Sequence, residues 1–117
     1  MLMNLNTYAH AGMALELLQK WEKDFKEVTI VYNIEKSDDK RSLSNMNSFL
    51  FRNKIINEDE YKLIKGIIEK RNLVIHRMFV DYLNNNQMLI ALTIDLSKDI
   101  EKSKELFVKL LENAKKV

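Results

Sequence analysis

The sequence predicts an all-α protein. Proline is absent from the 117 residues and only two glycines occur, so the residues that most hairpin turns require are scarce. Leu, Ile, Lys, Glu and Asn dominate instead, and apolar residues recur at steps of three and four, the period of a helix with one buried face. We expect a helical bundle of four to five helices that contains one long antiparallel helix hairpin.

The composition limits the size and setting of the fold. With 46% hydrophobic and 31% charged residues, the chain can fill one core, and a single domain over residues 1–117 is predicted. Cysteine is absent and histidine occurs only at His10 and His76, so neither a metal site nor another cofactor is expected. The absence of cysteine fits a reducing, cytoplasmic setting. Charged or amide residues interrupt every apolar stretch, so neither secretion nor membrane insertion is expected.

The first half of the chain is predicted to hold two helices. The first covers residues 6–27, with room for one more turn, and its apolar residues follow helical steps: Ala11, Ala14, Leu15, Leu18, Phe25 and Val28. Residues 28–32 are mostly β-branched, but no other segment offers a partner strand, so we interpret them as a helix end. Residues 35–41 lack apolar side chains and predict an exposed loop. Ser42 or Ser44 can then cap a short helix that ends near Arg52.

The second half is predicted to form the long hairpin. Asn57 precedes three carboxylates and marks a helix start, because its side chain can cap free N–H groups and carboxylates favour the positive end of the helix dipole. This third helix is expected to run to about residue 83, where the three asparagines at 84–86 break the pattern. A fourth helix is expected to end near residue 114, and one of its sides is apolar: Leu89, Leu92, Leu96, Ile100, Phe107, Leu110 and Ala114.

Arg71 lies on the apolar side of the third helix. At about 100° per residue, these residues point within about 60° of it: Ile64, Ile67, Ile68, Val74, Ile75, Met78 and Tyr82. A guanidinium cannot lose its proton, so it needs an anion or a polar pocket where two faces meet. The structural alternative is a buried salt bridge with one of three acids, namely Glu16, Asp95 or Asp99.

The third helix changes character after Asn72, because apolar residues then surround it on nearly every side: Leu73, Val74, Ile75, Met78, Phe79, Val80, Tyr82 and Leu83. A four-helix monomer has difficulty covering this surface, so a homodimer is predicted. Alternatively, the first two helices bury both sides within one chain. His76 lies about 140° around the helix from Arg71, so the two side chains diverge within one chain, whereas packing of two copies can bring Arg71 of one to His76 of the other.

The stretch Arg71-Asn72-Leu73-Val74-Ile75-His76 resembles the motif of the HEPN domains (higher eukaryotes and prokaryotes nucleotide-binding). These are small all-helical proteins marked by Arg, a polar residue, a few variable positions and His. Chain length, helical composition and the motif's place in a long central helix are similar too. The resemblance implies a homodimeric, metal-independent endoribonuclease with a composite catalytic site of Arg71, Asn72 and His76, flanked by Lys70 and Arg77 as RNA-binding residues.

The side-chain chemistry agrees with that implication. Cleavage of RNA by its own 2′-hydroxyl requires a group that exchanges protons near neutral pH and a cation for the charge that grows on the phosphate. His76 suits the first task, since the unperturbed pKa of histidine is about 6.5. Arg71 offers a planar fork of donors, and Asn72 can orient either partner. The family chemistry implies 2′,3′-cyclic phosphate and 5′-hydroxyl ends.

The resemblance also implies partners and an alternative. It implies that the protein is a toxin or phage-defence effector whose substrate is RNA. It also implies an antitoxin as a partner, which is either a nucleotidyltransferase or another protein. HEPN toxins that pair with a nucleotidyltransferase often carry Tyr two residues after the His, where this sequence has Met78. Some relatives retain the fold without cleavage, so a non-catalytic dimerisation or nucleotide- and RNA-binding module is the alternative.

Overall fold

The computed structural model describes residues 5–32, 42–77 and 86–115. They form four helices: α1 (Leu5–Tyr32), α2 (Leu43–Arg52), α3 (Glu58–Arg77) and α4 (Asn86–Lys115). Within these ranges there is no strand, so the all-α prediction is confirmed. The predicted loop at residues 35–41 and the predicted continuation of the third helix to residue 83 lie outside the described residues. The same holds for ten side chains on the helices, at positions 5–8, 10, 11, 76, 77, 86 and 89.

Helices α1 and α4 are parallel and share the aromatic part of the core. Trp21 Nε1 donates a hydrogen bond to Ser103 Oγ at 3.0 Å, and the Tyr32 hydroxyl donates to the carbonyl oxygen of Leu110, so both helices advance in the same direction. The rings of Trp21 and Phe25 stack at 5.2 Å, and both side chains are buried. Their expected place in the core is therefore confirmed.

Residues 28–32 are helical although their side chains favour strands, and α1 ends only at Tyr32. Val28 is fully buried, and the Thr29 hydroxyl donates to the carbonyl oxygen of Phe25 at 2.8 Å. Burial of this helix face outweighs the intrinsic β preference, as tertiary contacts commonly do. The interpretation of this segment as a helix end is confirmed, and the helix extends five residues past the predicted boundary at residue 27.

The N-terminal caps of α2 and α3 are each formed by residues within one helical turn, and both match the sequence prediction. Ser42, rather than Ser44, caps α2, since its Oγ accepts the N–H of Asn45 at 3.1 Å. At the start of α3, Asn57 Oδ1 accepts the N–H of Glu60, and Glu60 Oε1 accepts the N–H of Asn57, each at 2.8 Å. This reciprocal pair is a capping box, and each cap stabilises its helix by about 1 kcal/mol.

Helices α3 and α4 form the predicted antiparallel hairpin. Lys70 Nζ lies 2.6 Å from Asp99 Oδ2, whereas Lys109 Nζ lies 3.7 Å from Glu60 Oε2, so the order of contacts reverses along the two helices. The predicted break at residues 84–86 is wrong at its last position, because Asn86 is the first residue of α4. Asparagine is well tolerated at a helix start, where backbone N–H groups lack partners.

Helix α2 packs on α3 through a mainly apolar face that includes Leu43, Met46 and Leu50. Asn47 lies in the same face and is 2% exposed. Its Nδ2 donates to the carbonyl oxygen of Tyr61 at 3.1 Å, while its Oδ1 has no hydrogen-bond partner among the described residues. The contact between α2 and α3 thus contains one unsatisfied buried acceptor. None of the described helices combines the length and apolarity needed to cross a membrane.

We expect Ser103→Ala to lower the free energy of unfolding by about 1–3 kcal/mol, because the buried indole N–H of Trp21 then lacks an acceptor. Urea denaturation followed by the fluorescence of Trp21, the only tryptophan, measures the change. Ser97→Ala is the matched control on the same helix, where Ser97 is half-buried. Both variants gain the same helix propensity. Equal stability of the two would contradict this role of Ser103.

Candidate functional site

Arg71 lies in α3 with its side chain 25% exposed. The predicted apolar surroundings are confirmed at four positions that are buried: Ile64, Ile67, Ile68 and Val74. Ile75 belongs to the apolar stretch that a monomer was expected to have difficulty covering, and it is 44% exposed. The reason is the length of α2. Its first residues line the same pocket as Arg71 and Asn72, so Ile75, one turn further along α3, lies beyond the end of α2.

The anion that contacts Arg71 is Glu22 of α1. Arg71 Nε lies 3.4 Å from Glu22 Oε2, and Nη2 lies 3.5 Å from Oε1. The ion pair of the structural alternative is thus observed, but its partner is none of the three acids that were given as examples. Glu16 lies about 120° around α1 from Glu22 and is exposed, while Asp99 is engaged by Lys70 at 2.6 Å. Asp95, the third acid, is exposed on α4.

An open pocket of about 290 Å³, the Arg71 pocket, lies between α1, the first turn of α2, and α3. Its polar lining consists of Glu22, Lys26, Ser42, Ser44, Arg71 and Asn72. Two cations thus face one carboxylate, and Lys26 Nζ lies 3.7 Å from Glu22 Oε1. The contacts between Arg71 and Glu22 are long for charged hydrogen bonds, which are usually about 2.7–2.9 Å. The guanidinium of Arg71 is therefore loosely held.

Asn72 is the predicted site residue that the structure brings to Arg71. Its Oδ1 accepts a hydrogen bond from Arg71 Nη1 at 3.1 Å, so the amide restrains one end of the guanidinium. The remaining donors of the fork point to Glu22 or stay available to a ligand. The predicted positioning role of Asn72 toward Arg71 is consistent with this contact.

Lys70 lies about 100° around α3 from Arg71, and its ammonium contacts Asp99 of α4 rather than the Arg71 pocket. Its role in RNA binding stays a prediction. His76 and Arg77 are helical residues whose side chains lie outside the described residues. Because α3 is continuous from Glu58 to Arg77, the positions of Arg71 and His76 are about 140° apart and about 7.5 Å apart along the axis. The two backbone positions therefore lie on different sides of the helix.

Sequence reasoning missed Glu22, Lys26 and Ser44 as lining residues. Glu22 and Lys26 are four residues apart, a spacing that typically forms an ion pair on one side of a helix. That signal was present in the sequence, next to the predicted core residues Trp21 and Phe25. The pattern did not reveal which side of α1 faces α3, because the orientation depends on packing against α4.

We expect Glu22→Gln to lower the free energy of unfolding by up to about 1 kcal/mol at low salt, because Arg71 and Lys26 both lose their contact with the Glu22 carboxylate. The loss should shrink at about 1 M salt, where the Debye length falls to about 3 Å. Urea denaturation at both salt concentrations measures it. Glu101→Gln is the control, since the carboxylate of the Glu101–Lys104 pair is 73% exposed. Equal losses in both variants would show that Arg71 does not depend on Glu22.

Among residues 5–32, 42–77 and 86–115, no group of three or more His, Cys, Asp or Glu side chains could hold a metal ion. No family model, no curated protein and no solved structure matches this chain. The resemblance of residues 71–76 to the HEPN motif accordingly stays a prediction.

Proposed function

We propose that this chain is a metal-independent endoribonuclease of the HEPN type that acts as a homodimer, as a toxin or phage-defence effector. The observation that carries the proposal is the state of Arg71. Its guanidinium lies on the wall of an open pocket and is held by contacts of 3.4 and 3.5 Å. A phosphate oxygen can compete for such a guanidinium, because a charged, bidentate contact with phosphate is shorter and stronger.

The proposal assigns one task to each residue of the motif. His76 takes the proton of the attacking 2′-hydroxyl or gives a proton to the departing 5′-oxygen, as the bond from the 2′-oxygen to phosphorus forms and the bond to the 5′-oxygen breaks. Arg71 stabilises the charge that grows on the phosphate. Asn72 positions Arg71 through the contact between its Oδ1 and Nη1. Glu22 holds the guanidinium while the site is empty, and the phosphate displaces it.

The proposed site requires a second copy of the chain, because positions 71 and 76 lie on different sides of the same α3 helix. Exposed apolar residues beside the motif support such pairing, since Leu73 is 41% and Ile75 is 44% exposed. Adjacent apolar side chains of this kind commonly mark a contact between subunits. In the proposed dimer, the end of α3 packs near its two-fold mate, and Arg71 and Asn72 of one copy act with His76 of the other.

The second candidate function is a non-catalytic dimerisation or nucleotide-binding module. The ion pair with Glu22 favours it, because this pair compensates the charge of Arg71 without any substrate. On this alternative Arg71→Ala lowers stability, whereas His76→Ala changes nothing measurable.

We expect the purified protein to cleave single-stranded RNA in EDTA, and His76→Ala to reduce the rate by about 10²–10⁴-fold through loss of proton transfer. Arg71→Lys should also be impaired, since it keeps the charge but loses the planar fork. Gel analysis of end-labelled RNA measures the rates and identifies the cyclic phosphate ends. Glu101→Gln, on exposed α4 surface, should cleave like the wild type. Cleavage by both wild type and His76→Ala, or by neither, would defeat the catalytic assignment.

We expect a mixture of inactive Arg71→Ala and His76→Ala to regain cleavage, because each mixed dimer contains one intact composite site. With free exchange of subunits, half of the dimers are mixed and the rate should reach roughly a quarter of wild type. The rates are measured after co-refolding of the two variants. No recovery from folded, mixed dimers would contradict a site shared between subunits.

We expect Ile75→Asp to convert the dimer to a monomer and to abolish cleavage, because a charge would replace an apolar contact. Sedimentation velocity measures the oligomeric state. Val108→Asp is the matched control, since Val108 is 55% exposed on α4, and this variant should stay dimeric. A dimer of unchanged affinity in Ile75→Asp would place the interface elsewhere.

A further inference from the structure

A second open pocket, of about 560 Å³, lies where the chain turns from α2 into α3. We name it the Phe51 pocket after its aromatic wall, and its other lining includes Arg52, Lys54, Asn57 and Glu60. The volume falls within the range of pockets that hold small ligands. It is separate from the Arg71 pocket, because it adjoins the last turn of α2 rather than the first.

Phe51 provides this pocket with an aromatic surface. The ring of Tyr61 stacks on it, with ring centres 4.7 Å apart and planes 25° apart. Phe51 is nevertheless 38% exposed. Since Tyr61 stacks on one face of the ring, a further aromatic group would have to stack on the opposite face. A nucleobase can extend such a stack, and base stacking on aromatic side chains tolerates any base.

Two exposed cations, Arg52 and Lys54, follow directly after Phe51. The Nε of Arg52 donates to the carbonyl oxygen of Ser48 at 3.4 Å, which keeps the side chain along α2. No Asp or Glu occurs from position 42 to position 57, although the chain contains 17 acidic residues. The surface of α2 and its turn is thus free of carboxylates that would repel a phosphate backbone.

Two of the three carboxylates at the start of α3 contact other groups. Glu60, the acidic residue of the pocket lining, accepts the N–H of Asn57 and lies 3.7 Å from Lys109 Nζ. Glu58 lies 3.4 Å from Lys62 Nζ. The charged lining of the Phe51 pocket thus consists of two cations, Arg52 and Lys54, and one carboxylate that contacts a lysine.

The backbone of Lys54 is strained, with a φ of 59°. Glycine adopts this left-handed conformation at no steric cost, whereas a residue with a Cβ atom is disfavoured there. The turn therefore carries a lysine at a position that suits glycine better. Strain that persists at one residue often accompanies a function of its side chain.

We infer that the Phe51 pocket is a subsite for single-stranded RNA, in which a nucleobase stacks on Phe51 and the adjoining phosphates bind Arg52 and Lys54. The inference deepens the proposed function and rests on RNA as the substrate. The ten residues of α2 separate the two pockets, which corresponds to about 15 Å of helix. A few nucleotides span that distance, so a strand that follows α2 reaches the Arg71 pocket from the Phe51 pocket.

Binding to a short fluorescein-labelled 2′-O-methyl oligoribonucleotide tests the inference, because the blocked 2′-oxygen cannot attack and binding is separated from cleavage. Fluorescence anisotropy should show about tenfold or greater loss of affinity in Phe51→Ala. Phe51→Leu should lose affinity too, since it keeps apolar bulk without an aromatic face. Lys54→Gly should weaken binding and lower the slope of log affinity against log salt by about 0.7.

The controls separate binding from folding. Lys54→Gly relieves the strained turn, so its thermal midpoint should not fall, and a purely structural role of Lys54 would leave binding unchanged. Lys98→Ala removes an exposed cation from α4 and should bind like the wild type.

Each outcome bears on the inference and on the proposed function separately. Unchanged affinity in folded Phe51→Ala would overturn the subsite and leave the cleavage proposal intact. No binding by the wild type would also overturn the subsite, and the surface would then suit a protein partner. Binding that depends on Phe51 and Lys54, in a wild type that fails to cleave RNA in EDTA, would support the subsite and defeat the endoribonuclease.

Discussion

The hydrogen bond between Trp21 and Ser103 fixes how α1 lies on α4, and the candidate site depends on this arrangement. Glu22 follows Trp21 and points about 100° away from it, toward α3, where it meets Arg71. A shift of α1 by one turn would move Glu22 by about 5.4 Å and separate the two charges. The surroundings of Arg71 therefore depend on how α1 packs against α4, although neither helix contains a residue of the motif.

Two consecutive cations of α3 are used at two different interfaces. Lys70 contacts Asp99 on α4 at 2.6 Å, whereas Arg71 contacts Glu22 on α1 at 3.4 and 3.5 Å. The short contact supports the hairpin of α3 and α4, and the long contacts leave the guanidinium accessible. Neighbouring positions of the same charge thus differ in role because about 100° of helix rotation separates them.

Features that depend on a few adjacent residues could be predicted from the sequence. The caps at Ser42 and Asn57 and the helix that ends at Arg52 follow from side chains within one turn. The partner of Arg71 could not be predicted in this way. It depends on the rotation of α1 about its axis, which no local pattern encodes. Local patterns cannot predict a composite site of Arg71 and His76 either, because such a site requires a second copy of the chain.

Within the described part of the chain, the buried Oδ1 of Asn47 has no hydrogen-bond partner, which bears on how firmly α2 is held. A buried acceptor without a partner costs about 1–3 kcal/mol, and water would satisfy it if α2 separated from α3. This gain offsets part of the cost of exposing Leu43, Met46 and Leu50. We therefore expect α2 to separate locally from α3 before the whole chain unfolds. Such an opening would widen both pockets at once, since each has one wall formed by α2.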